Sequence, residues 1–307
     1  MPRPIDAHCH PTEEVRAGRD EDEWVQAAGD VPLDKMCLMS TDTWDQRLVA
    51  RAASAWPDKV VPAFGFHPWF VHTLSLVHPA PPADEHYMAL LGPHAAELLP
   101  ALPAPQSLED AMAQLEAYLV AHPNALVGEV GLDRSFRIPI SHTSPRRLSR
   151  CQTPLDHQLA VLRAQVSLAC RYKRSVSMHS VRAAGATTTF LDNAATEIAG
   201  FSCIGVLLHS CTLSAQSLAQ VQQSHTNVFA SFSTAIQTQH TGELMRVCDP
   251  TRVLCESDYH AWDELAPRTT AAMEVYAATR ETEARCDLEE QLLSNFQRYY
   301  RYAETVA

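Results

Sequence analysis

Eight short apolar runs recur along this sequence, and their spacing limits the possible folds more than any other feature. They are Pro4–His10, Lys35–Ser40, Lys59–His67, Ala125–Leu132, Arg174–Ser180, Cys203–His209, Asn227–Phe232 and Arg252–Asp258. Their near-continuous hydrophobicity suits strands buried on both faces of a parallel sheet. Between them, Trp44–Trp56, Leu155–Lys173, Ala215–Ser224 and Ala266–Ala278 carry apolar residues at helical spacing. Strands alternating with helices favour a (β/α)8 TIM barrel, although the count alone also fits an open doubly wound sheet. At 307 residues a single barrel domain can account for the whole of 1–307. Two stretches are irregular. Residues 68–105 are rich in Pro, His and Ala and read as an insertion with a short helix around Tyr87–Leu99. Ile138–Pro154, with Arg146, Arg147 and Arg150, reads as a second loop. The amphipathic Leu288–Tyr302 segment is expected to close the barrel as a final helix.

The apolar fraction of 46% is enough for a large core. No apolar stretch reaches the roughly 18 residues that a membrane span needs, and the N-terminus has no signal-like apolar region. Nine cysteines without CxxC spacing suggest reduced thiols, and hence a cytoplasmic or nuclear location. Cys9, Cys211 and Cys255 lie close to the residues proposed below as ligands. The net charge of −12 opposes non-specific adhesion to nucleic acid. Its distribution is uneven, with ten Lys/Arg and one acid, Asp156, between Arg134 and Arg182. That segment is either a solvated face or a rim that attracts phosphate.

A barrel keeps its active site at the C-terminal ends of its strands, so metal-capable residues should gather at the ends of the runs. His8 and His10 end the first, His67 the third, and Glu129 and Asp133 the fourth. His179, His209 and Asp258 end the fifth, sixth and eighth. The spacing of Asp6, His8 and His10 puts them on one strand face, where two imidazoles can chelate one cation with Asp6 behind a ring. Alone, the triplet also fits polar strand-end residues. Glu129 lies between Gly128 and Gly131 in an apolar strand, and a buried carboxylate there needs a metal or an arginine. His179 and His209 could singly be satisfied core residues, but two at successive ends favour ligation. Asp258 suits both ligation and proton transfer, with Glu256 behind it. Mixed His and carboxylate donors admit Zn²⁺, Mn²⁺, Co²⁺ and Mg²⁺.

The order of these pieces resembles the TatD family of metal-dependent deoxyribonucleases among the amidohydrolase-like barrels. Asp6-Ala-His8-Cys-His10, Gly65-Phe-His67-Pro68, Gly128-Glu-Val-Gly-Leu-Asp133, His179-Ser, His209-Ser, Glu256-Ser-Asp258 and Asn295-Phe296 are similar to the family's motifs. The resemblance implies two divalent ions, with Glu129 bridging, His8, His10 and Asp258 at one and His179 and His209 at the other. It makes Glu129 and Asp258 catalytic and gives His67 a substrate phosphate. Trp69 stands where the family usually has a second histidine, and Gly128–Pro139 looks more like a fungal branch. Some members of that branch carry names implying association with a cell-cycle ubiquitin-ligase subunit.

Three functions follow. The first is a phosphodiesterase cleaving DNA with a metal-activated water, with His67, Arg134 and Arg182 as substrate contacts. The second is a hydrolase of a small amide, ester or lactone. The third is an interaction protein that meets a protein partner through 68–105. The basic segment favours the first.

Overall fold

The computed structural model describes residues 3–141, 147–236, 239–280 and 285–305. Its main sheet has eight parallel strands in sequential order: β1 Ile5–Cys9, β2 Lys35–Met39, β3 Val60–Phe64, β4 Leu126–Asp133, β5 Val176–Val181, β6 Val206–Leu208, β7 Val228–Phe232 and β8 Val253–Cys255. A doubly wound sheet would reverse its strand order part-way, and this order never reverses. Residues just past β8 close the seam on β1: Asp258 N–H donates to His8 O at 3.0 Å and His10 N–H to Tyr259 O at 2.7 Å. The chain folds as the (β/α)8 barrel expected from its runs.

Outside the insertion, the helices longer than four residues are α1 Glu21–Asp30, α2 Thr43–Ala55, α3 Leu108–Ala121, α4 Leu155–Tyr172, α5 Ala184–Glu197, α6 Ala215–Ser224, α7 Thr241–Val247, α8 Trp262–Arg280 and α9 Arg285–Tyr300. Of these, α1, α3, α5 and α7 fall outside the stretches expected from helical spacing. The small and β-branched start of α5, Ala-Gly-Ala-Thr-Thr-Thr, is a weak helix former. Burial of Phe190, Leu191 and Ala194 against the strands holds it instead. The insertion contains a helix at Ala83–Leu91 followed by a 3-10 turn at Pro93–Glu97, earlier and more broken than expected, because Gly92-Pro93 ends the α-helix. In the second loop, Pro139–Ser141 pairs antiparallel with Arg147–Leu148, while Arg146 lies outside the described residues.

Side-chain alternation divides the core into two layers. Val176 and Met178, Val206 and Leu208, and Val253 and Cys255 face the helices. Leu207, Phe229 and Leu254 face the barrel axis, where Phe296 and Tyr299 of α9 plug the lower end. One pleat further up, the same inward rows carry His209, Ser231 and Glu256. The change from apolar to polar within two residues puts the chemistry at the barrel mouth.

Candidate metal centre

Two of the ligand-bearing strands break their alternation where the chemistry begins. The β1–β2 register shifts between Asp6 and Cys9, and the β4–β5 register between Val127 and Val130. Such a bulge re-aims side chains. In β4 it lets Val127 and Val130 both face the helices while Glu129 turns into the mouth. In β1 it undoes the expected single face of Asp6, His8 and His10. Asp6 does not stand behind a ring; its Oδ1 accepts the backbone N–H groups of His8 (3.1 Å) and Ser257 (3.0 Å), bracing the seam. Ser177 Oγ is the atom next to His8 Nδ1, at 2.8 Å.

Glu129 is 2% exposed and ringed by five imidazoles. His209 Nε2, His179 Nδ1 and His67 Nε2 lie 2.7, 2.8 and 3.1 Å from Oε1, and His10 Nε2 and His8 Nε2 lie 3.0 and 3.4 Å from Oε2. The rings also crowd one another, with His8 Nε2 2.8 Å from His10 Nε2 and His179 Nδ1 3.3 Å from His209 Nε2. Asp258 completes the group, with Oδ1 3.9 Å from His10 Nε2 and Oδ2 accepting from Ser210 Oγ at 2.8 Å. The structure thus brings together all six residues expected as ligands. Burial alone would raise the Glu129 carboxyl, but the imidazoles of His67, His209 and His8 around it and a hydrogen bond from His10 hold it well below the usual range. Burial disfavours the His209 cation, yet Glu129 and Glu256 draw its pKa well above the ordinary value.

The outer partner of each ring decides which nitrogen faces inward with a lone pair. Asp133 Oδ2, 3.2 Å from His179 Nε2, accepts that N–H and leaves Nδ1 free. Ser177 can accept from His8 Nδ1, leaving its Nε2 free, while Glu256 Oε1 lies 3.5 Å from His209 Nδ1 without a hydrogen bond between them. His67 is wired the other way. Its Nδ1 accepts the Trp69 backbone N–H at 3.1 Å, so the neutral ring carries its proton on Nε2, facing Glu129. Burial, reinforced by His179, pushes its pKa down to about 4, which keeps it neutral. Distance alone would group His67 with Glu129 and His179 as ligands; its tautomer makes it a donor. A set of inward nitrogen lone pairs around carboxylates fits divalent metal ions.

Sequence reasoning singled out two of the supporting residues, Asp133 and Glu256, as acids in apolar runs, and missed Ser177 and Ser210, which hold His8 and Asp258 across strands and carry no sequence signal. Above the centre opens a cavity of about 960 Å³, reached by His10, His67, Glu129, His179, His209 and Asp258. Its walls include Trp44, Trp69, Phe70 and Phe136, and the insertion contributes Leu98 and Ala101–Ala104. Arg134 and Arg182 are exposed and are not among the lining residues. Among the described residues that line the cavity, Arg16 is the one Lys or Arg.

Comparison with known proteins agrees with this geometry. The model of the TatD related DNase family matches residues 5–301. An uncharacterized deoxyribonuclease of Saccharomyces cerevisiae is 26% identical over 90% of this chain and 97% of its own length. Cut9-interacting protein scn1 of Schizosaccharomyces pombe is 35% identical over 58% of this chain, and the match spans 55% of that relative. The crystal structure of YjjV, a TatD homolog from Escherichia coli, has a TM-score of 0.65 at 19% identity, covering 97% of each chain. The chain belongs to the TatD related DNase family and is a hydrolase of ester bonds.

Proposed function

We propose that the protein is a divalent-metal-dependent phosphodiesterase that cleaves DNA or a related nucleotide ester at the Glu129 centre. One observation carries the reading: the outer partners of His8 and His179 turn a nitrogen lone pair toward one buried carboxylate that His10 and His209 also face. His8, His10 and Asp258 would hold one ion, His179 and His209 a second, and Glu129 both. Ions held there supply Lewis-acid charge and make water acidic enough to attack at neutral pH. Asp258, held through Ser210 and open to the cavity, takes the proton of the attacking water. His67, neutral with its proton on Nε2, donates to a phosphate oxygen. Arg134 and Arg182, exposed beside the mouth, would meet more distant phosphates.

The experiment is metal stripping and reloading with Zn²⁺, Mn²⁺, Co²⁺ or Mg²⁺, followed by assay on single-stranded DNA and on panels of carboxylic esters, lactones and amides. The reading expects about two bound ions per chain and preferential turnover of phosphodiesters. Turnover confined to carboxylic substrates would replace it with the small-molecule hydrolase.

A second reading draws on the similarity to Cut9-interacting protein scn1. Leu76, Val77 and Met88 of the insertion are exposed and apolar, the kind of surface through which a protein partner binds. The two functions are compatible, since this surface and the cavity involve different residues.

A further inference from the structure

Trp69 combines exposure with fixation, beside the candidate centre. It is 38% exposed and lines the cavity, a setting in which an indole is normally free to turn. Its N–H donates to Asp133 Oδ2 at 2.6 Å. One face stacks on Phe136 at a centroid distance of 4.8 Å and 11°. Its ring meets His67 edge-on at 4.8 Å, and its backbone N–H is held by His67 Nδ1. The ring centre lies 6.3 Å from that of His179, so a planar group resting on the indole would sit beside the centre.

The charges around the cavity point the same way. A polyanion gripped by its backbone needs a track of cations. Here Arg16 pairs with Asp42 at 2.9 Å and Glu13 at 3.3 Å and lies over Trp44. Arg163 and Arg171, from the basic segment, pair with Glu197 and Glu116 on the outer helices. Beyond its ester-cleaving centre the cavity wall carries aromatic surface at Trp44, Trp69, Phe70 and Phe136.

We propose that Trp69 is a specificity-determining residue, whose cavity-facing surface stacks a planar ring carried by the ester bound at Glu129, with a nucleobase as that ring. The proposal rests on the phosphodiesterase reading for the identity of the ester. A pre-fixed aromatic loses little conformational entropy when a ligand docks. Base–aromatic stacking has a strength corresponding to about 5- to 150-fold in affinity and tolerates any base.

The test is calorimetric titration of the metal-loaded protein with thymidine 5′-monophosphate and with deoxyribose 5-phosphate, which lacks the base. The parent should bind the nucleotide at least about tenfold more tightly. Trp69→Leu should bring the two ligands within about twofold, and Trp69→Phe should restore most of the preference. Both variants lose the hydrogen bond to Asp133, so recovery in Trp69→Phe assigns the effect to the ring. Equal affinities in the parent, or a preference that survives Trp69→Leu, would overturn the proposal. A parallel titration with phenyl phosphate separates sources: affinity equal to that of the nucleotide would assign the platform to any aryl ester and overturn the nucleobase assignment. Turnover of DNA is scored separately. A protein that cleaves DNA without base preference loses only the stacking proposal, and one that prefers the base yet cleaves no phosphodiester loses only the phosphodiesterase reading.

Discussion

Gly131 shows how tightly the ligands are held at the scale of single residues. Its φ is 144°, and a Cβ there would collide with the backbone of His179. Gly131→Ala should therefore cost about 2 kcal/mol or more, measured by urea unfolding of the metal-free protein, and should weaken metal uptake by displacing His179. A change in stability within a few tenths of a kcal/mol would show that the two strands can separate without harm. Glu129→Gln tests the centre itself. The amide keeps the size but loses the charge that His67, His209 and His8 surround. Metal content by elemental analysis should fall, and phosphodiester hydrolysis should drop by several orders of magnitude. Asp258→Asn should keep more metal and lose turnover, because Asp258 stands at the edge of the ring of imidazoles and faces the cavity.

At the scale of elements, α9 plugs the lower end of the barrel. Asn295 Nδ2 donates to Pro250 O and Val253 O, tying the helix to the start of β8. Phe296, 2% exposed, fills the lower end of the axis among Leu207, Phe229 and Leu254. Phe296→Ala should cost about 3–5 kcal/mol in unfolding free energy. Because it lies at the end opposite the ligands, metal stoichiometry in the folded fraction should hold near the parent's. Loss of metal in protein that is still folded would mean that the lower core positions the mouth. The runs, the barrel class and α9 were legible in the sequence because each is carried by local periodicity. The helix α5 was not, since its residues favour helix only once Phe190 and Leu191 are buried.

At the scale of the whole molecule, the candidate metal centre joins residues of six of the eight strands or of the chain just after them. Glu129 from β4 touches rings carried by β1, β5 and the chain after β3 and β6. Ions that bind the native arrangement alone should stabilise it by about 4 kcal/mol at a thousandfold excess over Kd. Chelation should therefore lower the melting temperature by several degrees, and reloading should restore it. A melting temperature indifferent to chelator and metal would remove the centre from the account of this fold.

What the sequence determined by itself was the order of the strands and which polar residues stand at their ends, because apolar runs and terminal polar residues are local patterns. The tertiary structure decided how those donors are used. The bulges in β1 and β4 set which way His8 and Glu129 face, and such shifts depend on pairing with a neighbouring strand. The proton on two of the imidazoles follows from partners far along the chain, Ser177 for His8 and Asp133 for His179. The cavity wall is a long-range product too, since Trp69 and Phe136 meet only when their loops close over the mouth. Residue types and local spacing decide what chemistry a chain can perform; burial and cross-strand contacts decide which atoms face it.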